Sequence, residues 1–168
     1  MSGSDPSGGC LAGDLPGGPY RVRRARLEDV ARLVGLLRDD VLGAGREDAS
    51  EAAYLDAFAA IDADPRHHLT CVCSPDGTVV ATAQLTLLPG LSRGAATRLQ
   101  VEAVRVAASH RGRGLGGALL DWAHGYGRRH GATLAQLTTD AARTEAHRFY
   151  EGLGYRASHV GFKRELEG

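Results

Sequence analysis

HRGRGLGGALLDW, residues 110–122, carries four glycines and two arginines in its first eight residues, then turns at once into an apolar helical pattern. Successive backbone N–H groups at a helix N-terminus make a concave anion site. Glycines let a phosphate approach the backbone closely, and Arg111 and Arg113 could add charge-assisted bonds. A plain turn does not need this many glycines. Gly112 and Gly117 have P-loop spacing, but Ala118 and Leu119 stand where Lys and then Ser or Thr are required. Gly112, Gly114 and Gly117 fit the dinucleotide fingerprint G-x-G-x-x-G, with Asp140 near the expected place for its acidic partner. Against that reading, Ser109, His110 and Arg111 separate the preceding strand from the first glycine. The repeated βαβ units of a Rossmann domain are missing too.

Working outward, Leu115, Ala118, Leu119, Trp122, Ala123 and Tyr126 share one helical face, which predicts a helix over 114–130. Before the loop, TRLQVEAVRVA (97–107) reads as a strand. HLTCVCS and TVVATAQLTLL are strand runs joined by SPDG, where Pro presets φ and Gly takes positive φ. That is a hairpin, so this part of the sheet is antiparallel. Upstream, YRVRRA (20–25) predicts a first strand. One helix follows with Val30, Leu33, Val34, Leu37 and Val41 on a face, and another over 48–62 that Pro65 cannot continue. After the loop helix come a strand at 133–139, a short helix in RTEAHRFYEGLG, and one or two closing strands in YRASHVGFKREL. The order βααβββαβαβ predicts a mixed α/β (α+β) sheet rather than a doubly wound one.

The 168 residues, 43 % hydrophobic and 24 % charged, suit one soluble domain. A net charge of zero gives no global reason to expect nucleic acid or an anionic membrane as partner. No apolar run reaches the roughly 18 residues of a membrane helix. Twelve of the first 19 residues are Gly, Pro or Ser, so 1–19 is expected to be a disordered tail and 20–168 a single domain. Three scattered cysteines argue for a reducing cytoplasm rather than a disulfide framework. Cys71 and Cys73, with His67 and His68 upstream, lack the two-residue gap of structural zinc sites. Two small thiols buried in a strand is the preferred reading, with no metal. Only Lys163 among 20 basic residues is a lysine. Arginine suits bidentate contacts to phosphates and carboxylates.

The chain resembles the GNAT superfamily of acetyl-CoA-dependent N-acetyltransferases. Arg111, Gly114 and Gly116 match its Arg/Gln-x-x-Gly-x-Gly/Ala motif, and AHRFYEGLGY (146–155) resembles its second motif, in the right order. The closing stretch resembles the branch that includes aminoalkylphosphonate acetyltransferases. The resemblance implies a mostly antiparallel sheet with a splayed strand pair, flanked by helices. It implies acetyl-CoA as cosubstrate, with its pyrophosphate on Arg111, Gly112, Arg113, Gly114, Leu115, Gly116 and Gly117. The pantetheine arm would lie along the backbone of Val104, Arg105 and Val106, and Tyr150 would meet the cofactor sulfur. Where many members carry a CoA-touching Asn, seven residues before the motif tyrosine, this chain has Arg143. Dimers are common among proteins that resemble it, so a homodimer is one expectation.

Acetyl transfer to an amine needs three things. The amine, of reference pKa about 10.4, must lose a proton. Glu102 is the candidate base. Simple alternation puts it on the face of Val104 and Val106, unless a bulge re-aims it. Otherwise it is an exposed carboxylate or an ion-pair partner of Arg98. The tetrahedral oxyanion needs donors, and N–H groups of Val104 or Val106 are implied. The departing thiolate needs an acid, the implied role of Tyr150. His147 and His159 rank below Glu102 as bases. Asp29, Arg46, Glu47, Tyr54 and Arg98 are the acceptor-side candidates. The expected activity is acetylation of a primary amine on a small molecule, which the neutral charge favours over a basic protein tail. Acetylation of a protein lysine or N-terminus, and a CoA-binding module without turnover, are the alternatives.

Overall fold

The computed structural model describes residues 13–15, 18–39 and 45–166. Six strands form one sheet in the order β1-β2-β3-β4-β5-β6: β1 Gly13–Asp14, β2 Arg21–Arg24, β3 His67–Cys73, β4 Val79–Pro89, β5 Thr97–Val106 and β6 Ala132–Gln136. Every neighbouring pair is antiparallel except β5 and β6, which are parallel. The helices are α1 Val30–Arg38, α2 Glu51–Ala63, the single turn α3 Ser92–Ala95, α4 Leu115–Arg129 and α5 Thr144–Gly152.

Local chemistry sets most boundaries. SPDG makes the β3–β4 turn: Gly77 takes φ 86°, its N–H donates to the Ser74 carbonyl at 2.9 Å, and the Thr78 N–H donates to Asp76 at 3.0 Å. The helix expected from residue 48 starts at Glu51, because the Ser50 side chain accepts from the Ala53 N–H at 3.2 Å and caps it. α1 buries Val30, Leu33, Val34 and Leu36, while Leu37 is only half-buried. Val41 lies outside the described residues.

β4 is buried along most of its length because helices cover both faces of the sheet. α1 and α2 lie on one side, the side of Cys71. α4 lies on the other, over the fully buried Leu85, Leu99 and Val101. Gly127 is what brings α4 down: a Cβ there would stand 2.9 Å from Leu99 Cδ2. Cys71 and Cys73 are free, buried thiols, and burial pushes the Cys71 thiol up to about 12.

Two outcomes differ from the sequence expectation. Within the stretch expected to be unstructured, Gly13 and Asp14 pair with Val22 and Arg21, held by the buried Leu15. And YRASHVGFKREL forms no strand: residues 155–166 have no ladder partner among the described residues. A period-two pattern specifies a face, but a strand also needs a neighbour to take its N–H and C=O groups.

His68, 5 % exposed, sits under α4 between Trp122 and Tyr126, with ring centroids 5.5 and 4.9 Å away, and its Nδ1 is 3.0 Å from Thr70 Oγ1. Burial lowers its pKa from 6.5 to about 4. The folded state therefore prefers the neutral ring. Its contribution is fully present above pH 6.5 and is lost as pH falls toward 4, by about 3 kcal/mol over that window. Urea titrations from pH 7 to pH 4 should show a steeper loss of stability for the native chain than for His68→Phe. Parallel pH profiles would remove His68 as a source of acid sensitivity.

Candidate active site

β5 starts as an ordinary central strand, with Leu99 and Val101 buried toward α4. The register then breaks. Gln84 pairs with Glu102 and Thr82 with Arg105, so Ala103 and Val104 together oppose Ala83. This is a bulge, and Ala103 carries it at φ 51°, a conformation that disfavours any residue with a Cβ. Directly paired residues share a face. Glu102 therefore stands with Gln84, Thr82 and Arg105 on the α1–α2 side, not with Val104 and Val106 as simple alternation implies. Val106, opposite Ala81, returns to the α4 side beside Gly116. Glu102 is exposed, and Arg98 turns to Gln136 Oε1 at 3.4 Å rather than to Glu102.

The same strand loses its other neighbour. Parallel pairing with β6 runs from Thr97–Ala132 to Gln100–Gln136 and stops, while β5 continues to Val106. Among the described residues no strand flanks 101–106 on that side. Two of the carbonyls there are met by guanidinium groups: Arg105 Nη1 donates to Val104 at 2.8 Å, and Arg111 Nε donates to Val106 at 2.9 Å. Arg111 Nη2 also reaches Asp39, its carbonyl at 3.1 Å and Oδ2 at 3.3 Å. One arginine thus ties the end of β5 to the end of α1.

The glycine loop follows. A short 3-10 turn, Ala108–His110, leads to Arg111, then Gly112 at φ 73° and Gly114 at φ 77° as N-cap of α4. The first bond within the helix is from the Ala118 N–H to the Gly114 carbonyl, 3.0 Å. The N–H groups of Leu115, Gly116 and Gly117 are the orphan donors of a helix start. Residues 111–114 are exposed around them, so the loop presents N–H groups and two guanidinium groups together. Gly116 and Gly117 face α5: a Cβ on Gly116 would lie 3.4 Å from the Phe149 ring and one on Gly117 3.9 Å from Leu153, both ordinary contact distances.

Tyr150 follows Phe149 on α5. Its ring meets Phe149 at 5.1 Å and Tyr155 at 5.8 Å, and the Tyr155 hydroxyl is 2.8 Å from His124 Nε2. Tyr150 is half-buried. Burial pushes its hydroxyl above the ordinary 10, against the opposing pull of the Arg143 and Arg105 charges. It stays protonated at neutral pH. Arg143, at the N-cap of α5, stands close enough to act on this phenol electrostatically.

The acceptor-side candidates divide. Asp29 is buried and structural: it takes Arg23 at 2.6 and 2.9 Å and caps the Arg26 N–H at 2.8 Å. Tyr54 donates to Glu47 Oε2 at 2.9 Å, and Arg38 donates to the Glu47 carbonyl at 2.8 Å, which holds the start of α2 near the end of α1. Arg46 is exposed. His147 Nε2 is 3.0 Å from the Asp140 carbonyl, and His159 is engaged with Ser158. Among the described residues no three His, Cys, Asp or Glu side chains converge on a metal position. No described helix is long and apolar enough to cross a membrane.

A splayed parallel pair, with a glycine-capped helix springing from the end of its first strand, defines an acyl-CoA acyltransferase architecture. The acetyltransferase (GNAT) family model matches residues 32–155, and the chain belongs to that family. Its members draw on acetyl-CoA. An aminoalkylphosphonate N-acetyltransferase of Salmonella typhimurium is 31 % identical over 145 residues, covering 86 % of this chain and 90 % of that protein. A transcriptional regulator from Bacillus halodurans C-125 superposes with a TM-score of 0.83 at 37 % identity, over 88 % of this chain and 99 % of its own. A Trypanosoma brucei acetyltransferase superposes at 0.72 with 25 % identity, over 88 % and 99 %.

Ala103 gives a direct test of the bulge. Ala103→Gly should keep the fold and raise its stability by up to about 1 kcal/mol, since glycine takes positive φ without steric cost. Ala103→Val should lose more than about 1 kcal/mol, because a branched Cβ makes that conformation worse. Denaturant midpoints measure both, and equal midpoints for the two variants would mean that the strand end relaxes out of the bulge.

Proposed function

We propose that this acetyltransferase moves the acetyl group of acetyl-CoA to the primary amine of a small molecule by direct attack, with Glu102 as base and Tyr150 as acid. The carrying observation is the stretch of β5 without a β6 neighbour, lying between the glycine loop and the charge environment of Tyr150. On this reading the CoA pyrophosphate takes the N–H groups of residues 112–117, with Arg111 and Arg113 beside them. Arg143 adds a further cation on the cofactor side. Arg111 exchanges its Val106 and Asp39 acceptors for phosphate oxygens, and the pantetheine arm follows the freed backbone of Val104, Arg105 and Val106.

The amine nitrogen attacks the thioester carbon, and a backbone N–H of Val104 or Val106 donates to the oxyanion. The amine gives its proton to Glu102, directly or through water; exposure of Glu102 suits the water route. Collapse breaks the C–S bond. The leaving thiolate, of reference pKa about 8.5, takes a proton from Tyr150, whose raised pKa keeps that proton in place until needed.

The Salmonella relative, by its name, acts on molecules that carry an amine and a phosphonate together. The bulge sets Glu102 and Arg105 on one face of β5, and a carboxylate and a cation on one face suit an acceptor of that kind. Arg46, exposed ahead of α2, is the candidate for a second cation toward the anionic end of such an acceptor. The buried free thiols fit a reducing cytoplasm.

Incubation with acetyl-CoA and a panel of aminoalkylphosphonates, other amines and peptides, followed by free-thiol release, should give turnover on small amines first. Preference for peptides would move the acceptor to protein. Acetyl-CoA binding without turnover on any acceptor would favour a regulatory module, and no binding at all would sink the reading. Tyr150→Phe should lower kcat about a hundredfold while acetyl-CoA affinity stays near native. Glu102→Gln should show a rate deficit that shrinks as rising pH deprotonates the amine. A deficit that persists at high pH counts against Glu102 as the base.

A further inference from the structure

Tyr150 is tied to α4 through two further side chains, Tyr155 and His124. α5 ends in a Schellman turn: Gly154 takes φ 87°, its N–H donates to the Glu151 carbonyl at 2.9 Å, and the Tyr155 N–H donates to the Tyr150 carbonyl at 3.1 Å. The turn brings Tyr155 back to Tyr150, and the two rings meet edge to face at 5.8 Å with 72° between their planes. The Tyr155 hydroxyl is 2.8 Å from Nε2 of His124, a residue of α4.

Packing alone does not hold this arrangement. Residues 156–166, which follow Tyr155, are exposed and lay no cover on its ring. His124 borders a cleft of about 220 Å³ between α4 and β6, so its ring has open volume beside it. Apolar contact is non-directional and leaves a ring free to tilt, whereas a hydrogen bond fixes where its far end lies. Both partners are neutral near pH 7. Burial pushes the Tyr155 hydroxyl up to about 12, and burial lowers the His124 pKa from 6.5, against the raising effect of Asp121, whose carboxylate is 4.0 Å from Nδ1, and with the Arg128 charge adding to the lowering.

We infer that His124 is a positioning residue for Tyr150: by anchoring the Tyr155 hydroxyl to α4, it fixes the ring against which Tyr150 sits. This rests on the reading of Tyr150 as the acid. α4 then carries the glycine loop at its start and, further along, the anchor that sets the phenol, so one rigid helix relates the two. A reacting group must be held to within a fraction of an ångström by the side chains behind it.

With the fastest acceptor of the panel, His124→Leu and Tyr155→Phe should each lower kcat about tenfold while KM for acetyl-CoA stays near native, since a misplaced acid costs rate rather than binding. The double variant should be no slower than either single one, because both remove the same bond. His124→Gln, which keeps a polar group near the place of Nε2, should recover most of the rate. In a Tyr150→Phe background, His124→Leu should cost nothing more. Isotope-edited NMR of the tyrosine Cζ carbons follows the Tyr150 hydroxyl without any acceptor. Its titration, above 10 in the native chain, should move down toward 10 in His124→Leu and Tyr155→Phe as the phenol becomes exposed, and stay in place in His124→Gln. Additive losses in the double variant, or a Tyr150 titration that neither variant moves, overturn the inference. If Tyr150→Phe itself keeps the native rate, the acid reading falls, and the titration alone decides the anchoring: a shift in both variants upholds it and no shift overturns it.

Discussion

The molecule turns on the point where β5 must serve two partners of different geometry. β4 holds it antiparallel along its whole length, but only by accepting an extra residue at Ala103–Val104. β6 holds it in parallel for four residues and then lets go. Twist accumulates between neighbouring strands, and a bulge bends and twists its strand further. The result is a strand end whose backbone groups face open space on one side. Backbone N–H and C=O groups do not stay unpaired at low cost, and the side chains of Arg105 and Arg111 take the carbonyls of Val104 and Val106. The glycine loop follows directly from this stretch, and the charge of Arg105 reaches Tyr150.

Arg111 shows how closely the parts are joined. It belongs to the loop, bonds the strand end, and reaches Asp39 at the end of α1. Its position is therefore shared between β5, the glycine loop and α1. Most of the energy that places these parts is apolar and lies away from the chemistry. Leu99 against Gly127 seats α4, and α5 brings Phe149 and Leu153 into ordinary contact with the first turn of α4. The glycines thus divide their work: Gly112 and Gly114 in the loop supply positive φ, and Gly127 further along α4 supplies closeness.

Sequence patterns reached the mixed sheet, the β3–β4 hairpin, the loop helix and the pairing of glycine loop with FYEGLGY because those signals are local: a turn type, a period, a spacing. They failed where a single residue changes the count. Two-residue alternation placed Glu102 with Val104 and Val106, and one inserted residue reversed that. Nothing in VEAVRV marks Ala103 as the bulge, since alanine is not the residue that positive φ selects. The ties of Asp29 to Arg23, and of Arg111 to Asp39, were equally invisible, because they join residues through the fold rather than along the chain. Asp29 was an acceptor-side candidate by position, and its burial makes it a brace instead.

The closing segment failed for a different reason. Its alternation shows in Val160 and Phe162, breaks at Arg164, and finds no partner strand among the described residues, because a strand is a property of a pair. Tyr155 stands where this segment meets the site: its ring packs on Tyr150 at 5.8 Å and its hydroxyl bonds His124 at the cleft. Burial pushes that hydroxyl up to about 12, with the neighbouring Tyr150 adding to the shift. Tyr155 is therefore a neutral donor or acceptor rather than a charge, and it cannot tune Tyr150 by titrating near neutral pH. Its influence on Tyr150 is steric. The path of the chain at Tyr155 therefore sets how its ring packs against that of Tyr150.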